Sequence, residues 1–131
     1  MFSYQHAFHA GNHADVLKHV VLIQTLTHAI QKEAAVFYVD THAGSGVYSL
    51  KGTQARKSAE SETGILKLWS EKEAPAHVAD YLNLIHDMNP SGKLQYYPGS
   101  PFIAEKVLRS QDRLRLYELH PTEIQNLAKN F

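Results

Sequence analysis

A short glycine-containing loop after an apolar segment is the first place where this sequence could do chemistry. Residues 36–39 are apolar, and Asp40-Thr41-His42-Ala43-Gly44-Ser45-Gly46 follows at once. The apolar run predicts a strand of a parallel sheet that is buried on both faces, and glycine lets the loop approach a ligand closely. Because ligands of open α/β sheets bind at the carboxyl ends of strands, Asp40 and His42 would face a nucleotide-type cofactor. A loop that only ends a core strand is the alternative.

A second acid ends a second predicted strand, at 114–118. In dinucleotide-binding folds, a glycine loop and an acid after the next strand together hold the ribose of the cofactor. Their usual separation is about 20 residues, whereas Gly46 and Glu118 lie 72 positions apart. An insertion must therefore separate them. Glu118 is either a ribose ligand or a solvent-facing acid at a strand end.

The elements that would position these residues follow from periodicity and turn residues. Asn12 is a suitable helix N-cap with Asp15 in the first turn, and an apolar stripe predicts a helix over about 13–32. Two helices, predicted over about 58–70 and 74–88, account for the insertion. Further elements are predicted in alternating order: a short strand at 94–97, a helix at 101–109, the strand at 114–118 and a helix from Pro121.

Composition narrows the class of protein. A chain of 131 residues suits one domain. No apolar run approaches the ~20 residues of a membrane span, and the first residues do not resemble a signal peptide, so a cytoplasmic protein without a membrane partner is expected. A net charge of zero argues against nonspecific coating of nucleic acid. Basic residues at 51, 56 and 57 either meet a phosphate backbone beside the loop or form a solvated face.

Histidines are concentrated near the N-terminus, where five of the nine lie within the first 28 residues. His9 and His13 have the i, i+4 spacing that helical metal sites use. However, Gly11 and Asn12 place His9 before the predicted helix, and no H-E-x-x-H pattern is present. No metal is expected, and a metal-dependent hydrolase is only a distant third interpretation.

Several motifs together resemble one family. The N-terminus closely resembles that of the RlmJ family over the run Met1-Phe2-Ser3-Tyr4-Gln5-His6-Ala7-Phe8-His9-Ala10-Gly11-Asn12-His13-Ala14-Asp15-Val16-Leu17-Lys18-His19. The members of this family are S-adenosylmethionine-dependent methyltransferases that modify N6 of an adenine in 23S ribosomal RNA. The segments 40–46, Tyr96-Tyr97-Pro98-Gly99-Ser100-Pro101 and Tyr117-Glu118-Leu119-His120-Pro121 also resemble family signatures, in the same order. The resemblance implies a Rossmann-like class I methyltransferase fold. In this α/β fold the inserted helical subdomain would span 52–92 of a domain covering 1–131.

The resemblance also implies roles for individual residues. Four residues match contacts of the family to S-adenosylmethionine: His19, His42, Ser100 and Glu118. Glu118 would accept hydrogen bonds from the ribose, and the loop from Gly44 to Gly46 would approach the methionine moiety. Tyr4, His6 and Lys18 match positions near the substrate adenine, on a tail that folds over the cofactor. A stacking surface and a cation suit an extruded adenine and its phosphate.

One departure from the family concerns catalysis. Its members are about twice as long, and their Asp-Pro-Pro-Tyr motif lies in the half that this chain does not contain. The nearest sequence here, Asn89-Pro90-Ser91-Gly92, lacks the second proline and the aromatic residue. The chain is therefore expected to be the N-terminal part of an rRNA adenine-N6 methyltransferase, without a catalytic residue of its own and inactive alone. A catalytically silent RNA- or partner-binding module is the alternative.

Overall fold

Helices and short strands alternate along residues 4–131, the part of the chain that a computed structural model describes; at 53, 54 and 58 it describes the backbone alone. Residues 1–3 of the N-terminal motif lie outside this range. Two 3₁₀ turns cover His6–Phe8 and Glu60–Thr63. The remaining elements, in chain order, are α1 (His13–Ala29), β1 (Phe37–Asp40), β2 (Val47–Ser49), α2 (Thr53–Ser58), α3 (Ile65–Leu68), α4 (Ala76–Asp87), β3 (Tyr96–Pro98), α5 (Ser100–Val107), β4 (Arg113–Leu116) and α6 (Pro121–Asn130).

The strands β1 and β4 are parallel neighbours. Phe37 lies opposite Arg113, and Asp40 lies opposite Leu116. This pairing confirms the prediction that the two acid-terminated strands adjoin. Since both strands run in the same direction, the loop after β1 and the acid after β4 lie at one edge of the sheet. The chain is thus a mixed α/β domain with a parallel strand pair.

The prediction that β1 is buried on both faces is wrong. Phe37 and Val39 are 57% and 48% exposed, while Tyr38 and Asp40 are partly buried. Successive side chains of a strand point to opposite faces, and α5 packs against β1 on the side of Asp40. Among the described residues, the helices therefore cover only one face of this strand.

A second, antiparallel pair joins β2 to β3. Tyr48 lies opposite Tyr97, and both side chains are buried. The strand β3 lies within two residues of its predicted position. The three residues of β2 were not predicted, because a strand so short, directly after a glycine loop, gives no periodic signal. Tyr48 thereby comes to lie behind the loop that was singled out from the sequence.

The helix predicted over about 58–70 is not continuous: a 3₁₀ turn and the short α3 occupy this range, and α2 ends where the predicted helix begins. Ala59 has a left-handed conformation (φ 52°) and separates α2 from a 3₁₀ turn, which leads into α3. At the last break, the backbone of Gly11 lies against Gly64: a Cβ on Gly64 would be 2.1 Å from the Gly11 carbonyl oxygen. That oxygen accepts a hydrogen bond from Ile65 N at 2.9 Å. The N-terminal segment, defined as residues 4–12, is therefore seated on this break.

The helices between β2 and β3 contribute to the same core as the rest of the domain. Ile65, Tyr81 and Ile85 are fully buried, and they cluster with Ile23 of α1 and Ile103 of α5. The helix α4 packs directly against α1. A separate subdomain over 52–92 stays a prediction. In the described part of the chain, no helix has the length and hydropathy needed to cross a membrane.

Candidate functional site

A cavity lies at the carboxyl ends of β1 and β4, under the N-terminal segment. It brings together residues that are up to 119 positions apart in the sequence. Of the nine residues that the family resemblance assigns to cofactor or adenine contacts, eight line it: Tyr4, His6, Lys18, His19, His42, Gly44, Ser100 and Glu118. The loop, the second acid and the N-terminal residues thus share one site.

Gly46, the ninth of these residues, does not line the cavity. Its backbone is left-handed (φ 81°), and a Cβ there would lie 2.5 Å from the ring of Phe131. Its carbonyl oxygen accepts a hydrogen bond from Gly99 N at 2.7 Å. Gly46 therefore holds the loop against α6 and the start of α5, and does not face the cavity.

Glu118 is fixed by backbone hydrogen bonds. Oε1 accepts from Gly44 N, and Oε2 accepts from His120 N, both at 2.8 Å. Each carboxylate oxygen has a second lone pair, so Glu118 can accept further hydrogen bonds from a molecule in the cavity. The bond to Gly44 also ties the glycine loop directly to the end of β4.

Asp40 does not line the cavity, contrary to the sequence interpretation. Its carboxylate accepts hydrogen bonds from the hydroxyls of Ser100 and Tyr38 and from His42 N. Burial and the nearby charge of Asp40 raise the pKa of Tyr38 well above its usual value. Asp40 therefore orients Ser100 and the start of the loop from behind.

His19 is held by a chain of buried hydroxyls. Its Nδ1 lies 2.8 Å from Tyr97 Oη, which lies 2.8 Å from Tyr81 Oη. Burial lowers the pKa of His19 to about 4, although the nearby Asp15 opposes the shift. The imidazole is therefore neutral near pH 7, and one hydrogen-bonded nitrogen fixes the ring in the wall of the cavity.

The N-terminal residues meet at a buried acid. Tyr4 Oη lies 2.6 Å from His6 Nδ1, and His6 Nε2 lies 2.6 Å from Asp15 Oδ2. Lys18 Nζ lies 3.0 Å from the other oxygen of Asp15. Burial opposes ionisation of Asp15, but the hydrogen bond from His6 and the surrounding positive charges outweigh it and lower the pKa to about 2. Asp15 is therefore a carboxylate near neutral pH.

Further residues of the cavity were not identified from the sequence. Tyr48 accepts a hydrogen bond from Ser45 N at 3.0 Å. Glu123 accepts from the Ser45 hydroxyl through Oε2, while its buried Oε1 has no hydrogen-bond partner among the described residues. Glu123 occupies the third position of α6 after the N-cap His120. An acid at that position is a known signal for the start of a helix. This signal could have placed Glu123 at the start of α6 from the sequence alone.

The histidine-rich N-terminus is not arranged as a metal site in the described residues. No group of three or more histidine, aspartate or glutamate side chains within 4–131 could hold an ion. His9 precedes α1, as expected, and its Nδ1 lies 2.7 Å from Glu60 Oε2. The ring of His9 also stacks on Tyr4, with centroids 5.2 Å apart.

The fold is that of a mixed α/β domain with a cavity where two parallel strands end. The chain belongs to the RlmJ family: a family model described as "Ribosomal RNA large subunit methyltransferase D, RlmJ" matches residues 33–131. The resemblance inferred from the sequence motifs is therefore confirmed.

Individual relatives extend the match through the N-terminal segment. Proteins named ribosomal RNA large subunit methyltransferase J from Haemophilus influenzae and Escherichia coli are 49% and 46% identical to this chain over its whole length. A crystal structure of a Legionella pneumophila protein, 43% identical, covers 92% of this chain and 44% of its own, with a TM-score of 0.84. This chain spans about half the length of the curated relatives, 47% in both cases.

The neutral His19 makes the stability of the fold depend on pH. The imidazole has a pKa of 6.5 when unperturbed and of about 4 in the fold, so the unfolded chain binds more protons between these values. This stability is fully present above about pH 6.5 and is lost as pH falls towards 4, by up to about 3 kcal/mol. Urea unfolding at about pH 7 and about pH 5 measures the loss.

His19→Gln is the matched variant, because it keeps a polar amide beside Tyr97 and removes the titrating group. Its free energy of unfolding should depend less on pH than that of the unsubstituted protein over this range. Asp15 does not contribute here, because its stabilising effect is lost only below its ordinary pKa of 3.8. An equal pH dependence in both proteins would contradict the assignment.

Proposed function

We propose that the full-length protein transfers the methyl group of S-adenosylmethionine to N6 of an adenine in 23S ribosomal RNA. The observation that carries the proposal is the convergence of the glycine loop, Glu118 and the N-terminal residues on one cavity. Membership of the RlmJ family and the names of the Haemophilus and Escherichia relatives supply the reaction class and the rRNA substrate. The choice of adenine N6 rests on the resemblance of the motifs.

The residues of the cavity fit S-adenosylmethionine chemically. The carboxylate of Glu118 suits the two ribose hydroxyls, which are hydrogen-bond donors. A second acceptor, Glu123 Oε1, is buried without a partner among the described residues, and such an atom favours a ligand that can donate to it. At Gly44, a Cβ would lie 2.1 Å from the Tyr48 hydroxyl. Glycine at this position therefore lets the loop lie against Tyr48, and the loop backbone would lie beside the methionine part of the cofactor.

The remaining cavity residues would complete this cofactor site. His19, His42 and Ser100 would contact the bound molecule, and Asp40 orients the Ser100 hydroxyl by accepting its hydrogen bond. When bound, S-adenosylmethionine supplies an electrophilic methyl group. What the chain itself contributes is a fixed position for the cofactor, with Gly46 supporting the loop from outside the cavity.

The adenine would lie on the side of the cavity that carries Tyr4, His6 and Lys18. Tyr4 is 62% exposed; His9 stacks on one face of its ring, and the other face would stack on a base. Lys18 is also exposed, and its charge suits an RNA phosphate. These residues would orient the acceptor base toward the cofactor.

We further infer a Rossmann-like class I arrangement of the sheet, with residues 52–92 as its helical insertion. The parallel pairing of β1 with β4 across a long connection supports this arrangement. The group that orients the acceptor nitrogen is proposed to be the aspartate of the Asp-Pro-Pro-Tyr motif of the family, for which residues 1–131 contain no counterpart. These residues alone should therefore be inactive.

A methylation assay tests the function. Full-length protein should transfer radiolabel from S-adenosylmethionine to 23S rRNA that lacks the modification, and digestion of the product should yield N6-methyladenosine. Residues 1–131 alone should show no transfer above background, because the acceptor nitrogen is not held at the attack distance of about 3–3.5 Å. No transfer by the full-length protein, despite RNA binding, would favour a silent RNA-binding module.

The ribose contact is tested separately. Glu118→Ala in the full-length protein removes charge-assisted hydrogen bonds, and loss of one such bond should weaken S-adenosylmethionine binding roughly 10- to 150-fold. Calorimetry measures the affinity. Glu105→Ala removes an exposed acid of α5 and serves as the control with unchanged affinity. Equal affinities for both variants would remove Glu118 from the cofactor site.

A further inference from the structure

Asp15 is the most buried ionised group beside the cavity, although it does not line it. The residue has no exposed surface, while its partners His6 and Lys18 both line the cavity wall. An acid in such a position cannot touch a ligand. It can act only through the residues that it holds.

Three of its interactions converge on the N-terminal segment and α1. Oδ2 lies 2.6 Å from His6 Nε2 and also accepts a hydrogen bond from Gly11 N at 3.0 Å. Oδ1 lies 3.0 Å from Lys18 Nζ, one turn along α1. One carboxylate thus holds an imidazole and a backbone N–H by hydrogen bonds and forms an ion pair with an ammonium group on the same side of the cavity.

The contact with His6 also determines how that ring meets Tyr4. An ionised carboxylate accepts hydrogen bonds and cannot donate them, so the proton of a neutral His6 lies on Nε2. Nδ1 is then left as an acceptor, and the Tyr4 hydroxyl lies 2.6 Å from it. The order Asp15, His6, Tyr4 therefore forms a directional hydrogen-bond chain from the buried acid to an exposed aromatic ring.

We propose that Asp15 is the positioning residue for the adenine side of the site, setting the orientation of Tyr4, His6 and Lys18. The part of this inference that concerns RNA methylation rests on the proposed function. The effect of Asp15 on the orientation and protonation of the His6 ring does not depend on that function. Among the described residues, the carboxylate of Asp15 meets His6, Gly11 and Lys18, whereas Gly44 N donates to Glu118 on the proposed cofactor side.

The other interpretation is that Asp15 serves only to stabilise the start of α1. Its own N–H donates to the side chain of the N-cap Asn12 at 2.8 Å, and its carboxylate accepts from Gly11 N. Asp112 offers a matched comparison. Its buried side chain also accepts backbone N–H groups, from Val36 and Arg109, and pairs with the cation of Arg109 away from the cavity.

The first experiment compares Asp15→Asn with Asp112→Asn in the full-length protein. Asp15→Asn should lower kcat/KM for 23S rRNA about 10-fold or more, the effect of one charge-assisted hydrogen bond. The calorimetric affinity for S-adenosylmethionine should fall less than kcat/KM for RNA, because Asp15 reaches the proposed cofactor side only through its charge on His19. Asp112→Asn should lower the melting temperature while leaving kcat/KM for RNA unchanged. If both variants lose stability and neither changes the RNA kinetics, Asp15 is only structural.

A second comparison tests whether Asp15 affects kcat/KM for RNA through His6 and Lys18. In a His6→Ala/Lys18→Ala background, Asp15→Asn should cause no additional loss of kcat/KM, because residues that act through one another are not additive. A further loss of the same size as in the unsubstituted protein would overturn the proposal.

The second measurement does not depend on activity. Long-range ¹H–¹⁵N correlation spectra of full-length protein labelled at histidine report which ring nitrogen of a neutral His6 carries the proton. A single Nε2–H form is expected in the unsubstituted protein and in Asp112→Asn, and a mixture of forms in Asp15→Asn, since asparagine offers both a donor and an acceptor. An unchanged single form in Asp15→Asn would overturn the proposal even if RNA is methylated. If no RNA is methylated but the forms change, the proposed function fails and the positioning by Asp15 stands.

Discussion

Hydrogen bonding between β1 and β4 continues past the ends of both strands, and the candidate site depends on this continuation. Tyr117 N donates to Asp40 O at 2.8 Å, and Ala43 N donates to Tyr117 O at 2.9 Å. The next contact along the loop is from Gly44 N to the carboxylate of Glu118. Because the strands are parallel, Gly44 of the loop and the carboxylate of Glu118 lie next to each other. Without this pairing, the 72 positions between Gly46 and Glu118 would leave the two motifs unrelated.

The opposite wall of the cavity depends on a backbone contact and on one charge. Gly11 lies so close to Gly64 that a side chain at position 64 would collide with it, and this contact interrupts the helical segment after β2. The N-terminal segment can then follow the surface toward Asp15, where His6 and Lys18 meet the buried carboxylate. The two walls therefore have different physical origins: backbone pairing on the side proposed for the cofactor, and ionic and hydrogen-bond contacts on the side proposed for the adenine.

Local signals in the sequence predicted much of this arrangement. The N-cap role of Asn12 was confirmed by its hydrogen bond from Asp15 N, and the parallel pairing of the two acid-terminated strands was confirmed by their register. Family motifs identified eight residues that the fold gathers around the cavity. Their individual roles stay predictions.

The features that were missed depend on contacts between distant residues. The break at Gly64 requires the backbone of Gly11, which no helix periodicity reveals. The strand at Val47–Ser49 is defined by its partner Tyr96–Pro98, and the exposure of Phe37 depends on which face of β1 the helix α5 covers. The placement of Asp40 behind Ser100, away from the cavity, likewise depends on the packing of α5. Patterns within a segment cannot supply such information.

The central claim is that the cavity between Glu118 and the N-terminal segment binds the cofactor. A crystal structure of the full-length protein with S-adenosylhomocysteine tests it most directly. The account predicts ribose hydroxyls at hydrogen-bond distance, about 2.7 Å, from the carboxylate of Glu118, with the homocysteine part beside Gly44. A ligand bound elsewhere, or bound in this cavity with its ribose away from Glu118, would contradict the account.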